Sequence, residues 1–526
     1  MYAFLRRQLE EKCISLQELE TTPAEPATSM NISPKFLKVL QMSFEVKYMD
    51  EDITLAEKRD KIKTIEERMS VLHHNVIDVS TDPKFDDIVA LATAYYNVGL
   101  EYVISTDTDD LSVAVLCFSR CVDILKEKMS DRKAILTSIG ALNELNSVYE
   151  KMNKKTDSEL NTALKLYMTY TQEENYRDPI HIASLVGIEE EESNPKIILN
   201  TLHHTTLQNL RLQYLIRPKD KHLFVIYMNK ILNTRLTDIV SNDTKFDEKC
   251  LNMALTLFEL SKYFLANDRF TEAKSHIAIG DYVIFRVAGE ILKMEEKDFF
   301  YLHKSLNYTI AVNAKSWGSY GVSLLRFWMK KFSQNKGNKS SEIQDLMSKL
   351  EIKSEKSNLI FSDLLEKELE GIIIQFTETC ILNLADAKSI FIKTLRQFEK
   401  AKEEYKEYFA LDNGTVTYAK ITLGISDTYK YLAGFEEQRD NQIKLHKGRV
   451  KLLEDACKKF PTIIEDDTDL QIYKRIWYEV VTSCSTVMDL MVEETYYDES
   501  FEEVSTKADQ YMKMLAENSG FYLNAV

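Results

Sequence analysis

One helix-pair pattern occurs four times between residues 95 and 277, and it limits the possible fold more than any other feature of the chain. A first helix carries apolar or aromatic residues at i, i+3 and i+7 with a small or polar residue at i+4. A second helix then opens with a small or aliphatic residue, followed four positions later by an aromatic or aliphatic one. This spacing is typical of tetratricopeptide-type repeats. The four sets are Tyr95, Val98, Gly99, Tyr102, Ala114 and Phe118; Leu142, Leu145, Asn146, Tyr149, Ala163 and Tyr167; Leu207, Leu210, Arg211, Tyr214, Leu223 and Tyr227; and Leu257, Leu260, Ser261, Phe264, Ala273 and Ile277.

Each position of the pattern has a packing role. Residues at i, i+3 and i+7 share one helix face, and the small residue beside them lets the partner helix approach closely. A single pair cannot bury both of its faces, so neighbouring pairs must stack on one another. The pattern therefore favours a stacked array of helix pairs, and the alternative is an irregular helical bundle with coincidental matches.

The composition supports an all-α chain. Only 14 glycines and 8 prolines occur in 526 residues, so few positions suit hairpin turns or break helices. The length exceeds that of a single hydrophobic core, which requires either two domains or an elongated repeat array. The scarcity of glycine and proline favours the repeat array.

The helical pattern changes along the chain and predicts five segments. A long, largely apolar helix outside the pair pattern and the polar stretch after it divide the chain into two halves. The predicted segments are divergent N-terminal helices at 1–85, a tetratricopeptide-like N-terminal subdomain at 86–295, a linker helix at 296–333, a polar flexible loop at 334–358 and a C-terminal subdomain of helix pairs at 359–526.

No motif for catalysis or metal binding stands out in the sequence. It contains no HExxH, Walker loop, GxSxG or GxGxxG, and the seven cysteines include no CxxC. Cys117 and Cys121 lie four apart on one helix face, where we expect thiols of the core. We predict a non-enzymatic protein with no metal, no cofactor and no small-molecule substrate.

Charge and hydropathy narrow the choice of partners. The formal net charge of −16 disfavours nucleic acid, because phosphate contacts require a basic surface, and it suits a basic protein partner instead. No window approaches the roughly 20 apolar residues of a membrane span. We predict no nucleic-acid binding, no membrane insertion and a cytoplasmic location.

The stretch GFEEQRDNQIKLHKGRVKLLE at 434–454 concentrates basic residues in this acidic chain. On a helical wheel Lys444, Lys447 and Lys451 share a sector with acidic residues, which predicts a solvated face and no phosphate-binding stripe. His446 and Arg449 fall among apolar residues on the other side. A buried arginine needs a carboxylate or carbonyl partner, so we expect a polar contact between helices there.

Several stretches in the same order resemble the kinesin-binding protein family, also called the KIF-binding protein family. They are YNVGLEYV (96–103), LSVAVLCFSRCVDIL (111–125), SKYFLANDRFTEAKSHI (261–277), YVIF (282–285), YFALDNGTVTYAKI (408–421), GFEEQRD (434–440) and KLHKGRV (444–450). The resemblance covers about 90–490, and the first 80 residues match poorly. The chain ends where the family continues through further helices, so a divergent or truncated C-terminal subdomain is expected.

The resemblance implies a fold and a function. The fold is a right-handed α-solenoid of tetratricopeptide-like helix pairs in two subdomains joined by a long linker helix. The function is non-enzymatic, since family members bind kinesin motor domains and block their attachment to microtubules. The implied setting is microtubule-based and axonal transport, neuronal development and mitochondrial distribution, in the cytoplasm with cytoskeletal association. The candidate contacts, taken from first helices and one adjoining loop, are Tyr96, Gln213, Arg235, Phe258 and Lys262.

Two other function classes compete with this one. A generic tetratricopeptide scaffold would hold a peptide or chaperone partner, but the sequence lacks the repeated lysine and asparagine set that clamps a terminal carboxylate. An all-α enzyme would require the metal motifs that are missing. An acidic groove favours the motor partner, a basic clamp the peptide holder, and a closed pocket the enzyme.

Overall fold

The structure is a computed structural model, and its helices account for most of the residues that it describes. No strand occurs among those residues, so the predicted all-α class is confirmed. The described residues are 1–19, 30–49, 55–75, 83–154, 158–172, 177–183, 187, 194–242, 246–293, 299–334, 361–369, 375–406, 414–459, 467–495, 509 and 511–520.

The helices are numbered in the order in which they occur along the chain. They are α1 (Tyr2–Leu19), α2 (Pro34–Lys47), α3 (Leu55–His74), α4 (Phe85–Val103), α5 (Thr108–Leu125), α6 (Ile135–Lys151), α7 (Ser158–Gln172), α8 (Pro195–Ile216), α9 (His222–Ser241), α10 (Glu248–Ala266), α11 (Phe270–Ile291), α12 (Phe299–Gln334), α13 (Asp363–Leu369), α14 (Leu384–Tyr405), α15 (Gly414–Ala433), α16 (Arg439–Cys457) and α17 (Asp467–Thr495). A short 3-10 helix spans Pro218–Asp220, and residues 511–520 are also helical.

Several of these helices begin at an N-cap residue whose side chain accepts a hydrogen bond from the backbone of the first turn. The carboxylates of Asp107 and Asp247 accept hydrogen bonds from the second following backbone N–H at the starts of α5 and α10. Asn194 does the same at the start of α8, just before a proline. Such caps satisfy backbone donors that have no partner within the helix, and they explain why the helices begin at these residues.

The chain forms two compact units, which are described separately. The first is Tyr2–Phe224, and the second is Val225–Val526 together with Met1. In the first unit α4 packs on α5 and α6 packs on α7, as the pair pattern predicts. In addition α4 contacts α6, and α6 contacts α8. The first helices α4, α6 and α8 therefore touch in succession, and the members of the pairs α4–α5 and α6–α7 touch each other.

Gly99, the small residue of the first repeat, allows α5 to approach α4 closely, as predicted. A Cβ atom built on Gly99 of α4 would lie 2.7 Å from Cε1 of Phe118 on α5. Phe118 is fully buried. The ring therefore occupies the space that any side chain at position 99 would need, and this close approach joins the two helices.

The second unit repeats this arrangement around the 36-residue helix α12. The pair α10 and α11 is in contact, and α12 packs on both of them and on α14 and α15. Further along, α15 packs on α16 and on α17, and α16 packs on α17. The helices α10, α12, α15 and α17 therefore follow one another in contact, with the other helices packed against them.

The helix predicted at 296–333 exists as α12, and its neighbours lie on several sides within the second unit. Trp317 and Trp328 are buried, and their indole N–H groups donate to Asp281 Oδ2 (2.7 Å) and the Thr379 carbonyl (3.2 Å). The predicted polar loop at 334–358 lies outside the described residues apart from Gln334. The subdomain boundaries drawn from the sequence stay a prediction.

Candidate partner-binding surface

Two of the five predicted contact residues lie in the first unit. Tyr96 on α4 is partly buried, and its ring packs against Phe118 with 6.0 Å between the ring centroids. A Cβ atom on Gly140 of α6 would lie 2.9 Å from the Tyr96 hydroxyl oxygen. Tyr96 therefore contacts both the partner helix and the next first helix, which leaves only part of its ring for another molecule.

Gln213 on α8 belongs to a polar network between first helices. Its Nε2 donates to Asn146 Oδ1 (3.0 Å) and Glu150 Oε1 (3.2 Å), both on α6. The Asn146 amide also donates to Glu150 Oε1 (3.0 Å). The side-chain Oε1 of Gln213 accepts from Nζ of the buried Lys221 (2.8 Å). Glu150 is exposed, so the network places a carboxylate on the surface formed by α6 and α8.

The other three predicted residues lie in the second unit. Arg235 on α9 is partly buried and Lys262 on α10 is exposed. Phe258 is only 1% exposed, and its ring fills the space above Gly280 of α11, where a Cβ atom would overlap with Cε1 of the ring. The sequence predicted that Phe258 faces the groove, but α11 covers its ring. This burial disfavours direct contact between Phe258 and a partner.

A cleft lies between α10 and α12, and sequence reasoning missed it. It is open to solvent and has a volume of about 480 Å³. Tyr301 and Tyr308 stand on its α12 side, with 82% and 41% of their surfaces exposed. The spacing of seven residues between these tyrosines was the signal that could have revealed it, since it marks one helix face. The lining residues are Glu248, Leu251, Asn252, Leu255, Tyr301, Lys304, Ser305, Tyr308 and Thr309.

The basic stretch on α16 divides as the sequence predicted. Lys444, Lys447 and Lys451 are exposed, whereas Arg449 is only 1% exposed. Of the two kinds of partner predicted for Arg449, a carboxylate or a carbonyl, the structure shows a carboxylate, Glu479 on α17.

The Arg449–Glu479 pair belongs to a wider network among three helices. Arg449 Nε also donates to Ser426 Oγ on α15 (2.9 Å). Nζ of Lys430 lies 3.9 Å from Glu479 Oε2, and the Arg475 guanidinium lies 3.6 Å from Asp427. The expected polar contact between helices is confirmed, and it ties α15, α16 and α17 together.

Burial favours the uncharged forms of some thiols and imidazoles in the described part of the chain. Burial raises the pKa of the Cys117 thiol to about 12, and Cys117 and Cys121 are buried free thiols, as expected. Burial, aided by the charges of Arg449 and Lys430, lowers the pKa of His446 to about 4. A thiol with a raised pKa is a poor nucleophile. These groups fit a structural role better than a catalytic one.

Two further observations concern the described residues alone. They contain no group of three or more histidine, cysteine, aspartate or glutamate side chains placed to hold a metal ion. Among their helices, none combines the length and apolarity that crossing a bilayer requires.

The described part of the chain is thus an all-helical protein of paired helices, and its surface includes the polar network of α6 and α8 and the cleft between α10 and α12. The family model described as KIF-1 binding protein C terminal matches residues 250–525, which is more than half of the chain. The chain belongs to this family, and the resemblance seen in the sequence is confirmed.

Curated relatives agree with the family assignment. The KIF-binding protein of Gallus gallus is 24% identical over 428 residues, covering 77% of this chain and 67% of the relative. The Danio rerio protein of the same name is 24% identical over 423 residues, covering 76% and 63%. The one from Drosophila melanogaster is 25% identical over 250 residues, covering 46% and 39%. The chain thus spans about two thirds or less of the length of these relatives.

Proposed function

We propose that the protein binds kinesin motor domains and blocks their attachment to microtubules, as a non-enzymatic regulator of microtubule-based transport. The observation that carries this proposal is the family membership over residues 250–525, together with relatives whose shared name is KIF-binding protein. In this proposal the protein acts in the cytoplasm, on kinesins that would otherwise associate with the cytoskeleton. Roles in axonal transport, neuronal development and mitochondrial distribution would follow from that activity.

The same proposal includes the arrangement of the helices. First helices that touch one another, α4 with α6 and α6 with α8, fit a right-handed α-solenoid of tetratricopeptide-like pairs. The contacts along α10, α12, α15 and α17 fit the same scheme. In such a solenoid the first helices line the inner face, which is the surface that a partner would enter.

Electrostatics support a motor domain as the partner. The microtubule-facing side of a motor must be basic to meet an acidic lattice, and a chain with net charge −16 competes for it through the same attraction. Glu150 on α6, beside Gln213 on α8, is an exposed carboxylate of the proposed inner face. Tyr96, Gln213, Arg235 and Lys262 stay candidate contacts.

A pull-down of a panel of purified kinesin motor domains by the full chain tests the proposal. We expect at least one motor to bind, and Glu150→Lys to weaken that binding without loss of helicity, because inward polar residues contribute little to repeat stacking. Glu127→Lys, at an exposed carboxylate between α5 and α6, is the matched control and should leave binding unchanged. Failure of every motor to bind would favour the alternative, a generic tetratricopeptide scaffold that holds a peptide or chaperone partner.

A further inference from the structure

Each wall of the α10–α12 cleft is one helix face that runs for about two turns. Leu251 and Leu255 on α10 are four residues apart, and Tyr301 and Tyr308 on α12 are seven apart, so the members of each pair lie on the same side of their helix. All four line the cleft, whose volume is about 480 Å³. The cleft therefore has leucine side chains on one wall and tyrosine rings on the other.

Two polar groups of α10 give the cleft specific bonding capacity. The backbone carbonyl of Asn252 accepts from Thr256 within the helix, whereas its side-chain amide makes no hydrogen bond to another described residue. Glu248 is exposed, and its Oε1 accepts from Ser305 Oγ on the other wall (3.4 Å). Among the described lining residues Glu248 is the only carboxylate and Lys304 the only cation. Charge complementarity therefore favours a ligand with one basic group at Glu248 and no long run of either charge.

The distance between the two tyrosines matches the repeat of a polyproline II helix. Seven residues advance an α-helix by about 10 Å. A polyproline II helix returns to the same side every three residues and rises about 3.1 Å per residue, so prolines three residues apart are separated by about 9 Å. Two such prolines can therefore each pack against one of the two tyrosine rings.

An α-helical ligand fits the cleft less well than an extended one. Two turns of helix with their side chains fill a cylinder about 10 Å long and about 10 Å wide, or roughly 800 Å³. This exceeds the cleft volume of about 480 Å³. A polyproline II segment is narrower and has no internal hydrogen bonds, so its carbonyl groups remain available to the Asn252 amide.

We propose that the α10–α12 cleft binds a proline-rich segment of a partner protein in the polyproline II conformation, with an arginine or lysine beside the prolines. Two prolines three residues apart pack on Tyr301 and Tyr308. The Asn252 amide donates to a backbone carbonyl of the segment, and Glu248 accepts from the neighbouring cation. Aromatic-lined grooves suit such segments because their conformation is already formed and loses little entropy on binding. This inference does not depend on motor binding.

Fluorescence anisotropy with a labelled peptide and the full chain tests the proposal. The probe is Arg-Ala-Leu-Pro-Pro-Leu-Pro, and its control has alanine in place of each proline. We expect the alanine peptide to bind at least about tenfold more weakly than the proline peptide. Tyr301→Ala should weaken binding of the proline peptide by about tenfold, and it should fold normally because the ring is 82% exposed. Tyr478→Ala, at a tyrosine of α17 that is 54% exposed, is the matched control and should leave binding unchanged.

A double-mutant cycle tests the charge pair separately. Glu248→Gln should weaken binding of the arginine-containing probe by about threefold, as for an exposed ion pair, and should reduce its salt dependence. A probe with glutamine in place of arginine should bind the unaltered chain and Glu248→Gln equally well. Glu437→Gln, at an exposed carboxylate just before α16, is the control and should have no effect.

Four outcomes would overturn the proposal. Absence of probe binding at millimolar concentration, or equal binding of the proline and alanine peptides, would remove the polyproline II ligand. Unchanged binding in Tyr301→Ala would place the ligand elsewhere on the chain. Tighter binding of an amphipathic helical peptide that Tyr301→Ala abolishes would show that the cleft holds a helix instead. The motor pull-down is a separate measurement, so failure of this proposal and failure of the proposed function are distinguishable.

Discussion

Replacing Arg449 by methionine should lower the free energy of unfolding of the second unit by about 3 kcal/mol. The substitution removes a buried guanidinium that is 1% exposed and contacts both Glu479 and Ser426. Methionine is similar in length, so little cavity forms, and the loss comes from leaving the Glu479 carboxylate nearly unpaired. Removing one partner of a buried ion pair costs about 3–5 kcal/mol. Lys430, 3.9 Å from Glu479, keeps the loss near the lower limit.

Tryptophan fluorescence during urea unfolding measures this loss of stability in the second unit. All three tryptophans, Trp317, Trp328 and Trp477, lie in the second unit. With a urea dependence of about 3 kcal/mol per molar, the midpoint should fall by about 1 M. Arg396→Met, at an exposed arginine on α14, is the matched control and should change the stability by less than about 0.5 kcal/mol.

The double variant R449M/E479M separates a buried ion pair from simple packing. Replacing both charges with apolar side chains of similar size is often neutral, so we expect the stability to return to within about 1 kcal/mol of the unaltered chain. A midpoint for R449M that matches the Arg396→Met control would refute the reasoning. So would a double variant that is as unstable as the sum of the two single changes.

Further predictions concern packing, pH and thiol reactivity. Gly99→Ala should destabilise the first unit by about 1–3 kcal/mol in chemical unfolding, because its Cβ would lie 2.7 Å from the Phe118 ring, whereas Gly289→Ala on α11, with nothing within 4 Å, should be neutral or stabilising. Burial lowers the pKa of His446 and of His276 in the folded protein to about 4, whereas a histidine of the unfolded chain has a pKa of about 6.5. Between these two pH values the unfolded state binds more protons than the folded state, so the free energy of unfolding should fall as the pH drops from about 6.5 towards 4. Unfolding midpoints across this range should flatten in His446→Leu, and an unchanged slope would contradict the assignment. Ellman's reagent should react slowly with Cys117 at pH 8, because burial raises the pKa of that thiol to about 12, and a rapid reaction of Cys117 would show that it is accessible.

The sequence predicted what depends on short spacings within one helix or one pair. Gly99 and Phe118 were assigned to facing positions of a pair, and the structure confirms their close approach. The need of Arg449 for a carboxylate or carbonyl partner was equally clear, since an arginine among apolar residues requires one. The sequence did not predict which residue the partner is, because Glu479 lies on the next helix, 30 residues away from Arg449.

The parts that the sequence did not predict depend on how helices cover one another. Phe258 lies on a first helix, but periodicity could not show that α11 covers it at Gly280. Likewise Leu255 and Tyr308 are far apart in sequence, and only the packing of α10 against α12 brings them to one cleft. Contacts across three helices are set by tertiary packing, which a pattern within a single segment does not contain.

Microtubule co-sedimentation of a kinesin motor domain with and without the full chain tests the central claim most directly. With the motor locked on microtubules by a non-hydrolysable nucleotide, the account predicts that adding the chain moves the motor from the pellet to the supernatant. Because the competition is electrostatic, this release should weaken as the salt concentration rises. A motor that binds the chain yet stays in the pellet, carrying the chain with it, would contradict the claim that binding blocks microtubule attachment.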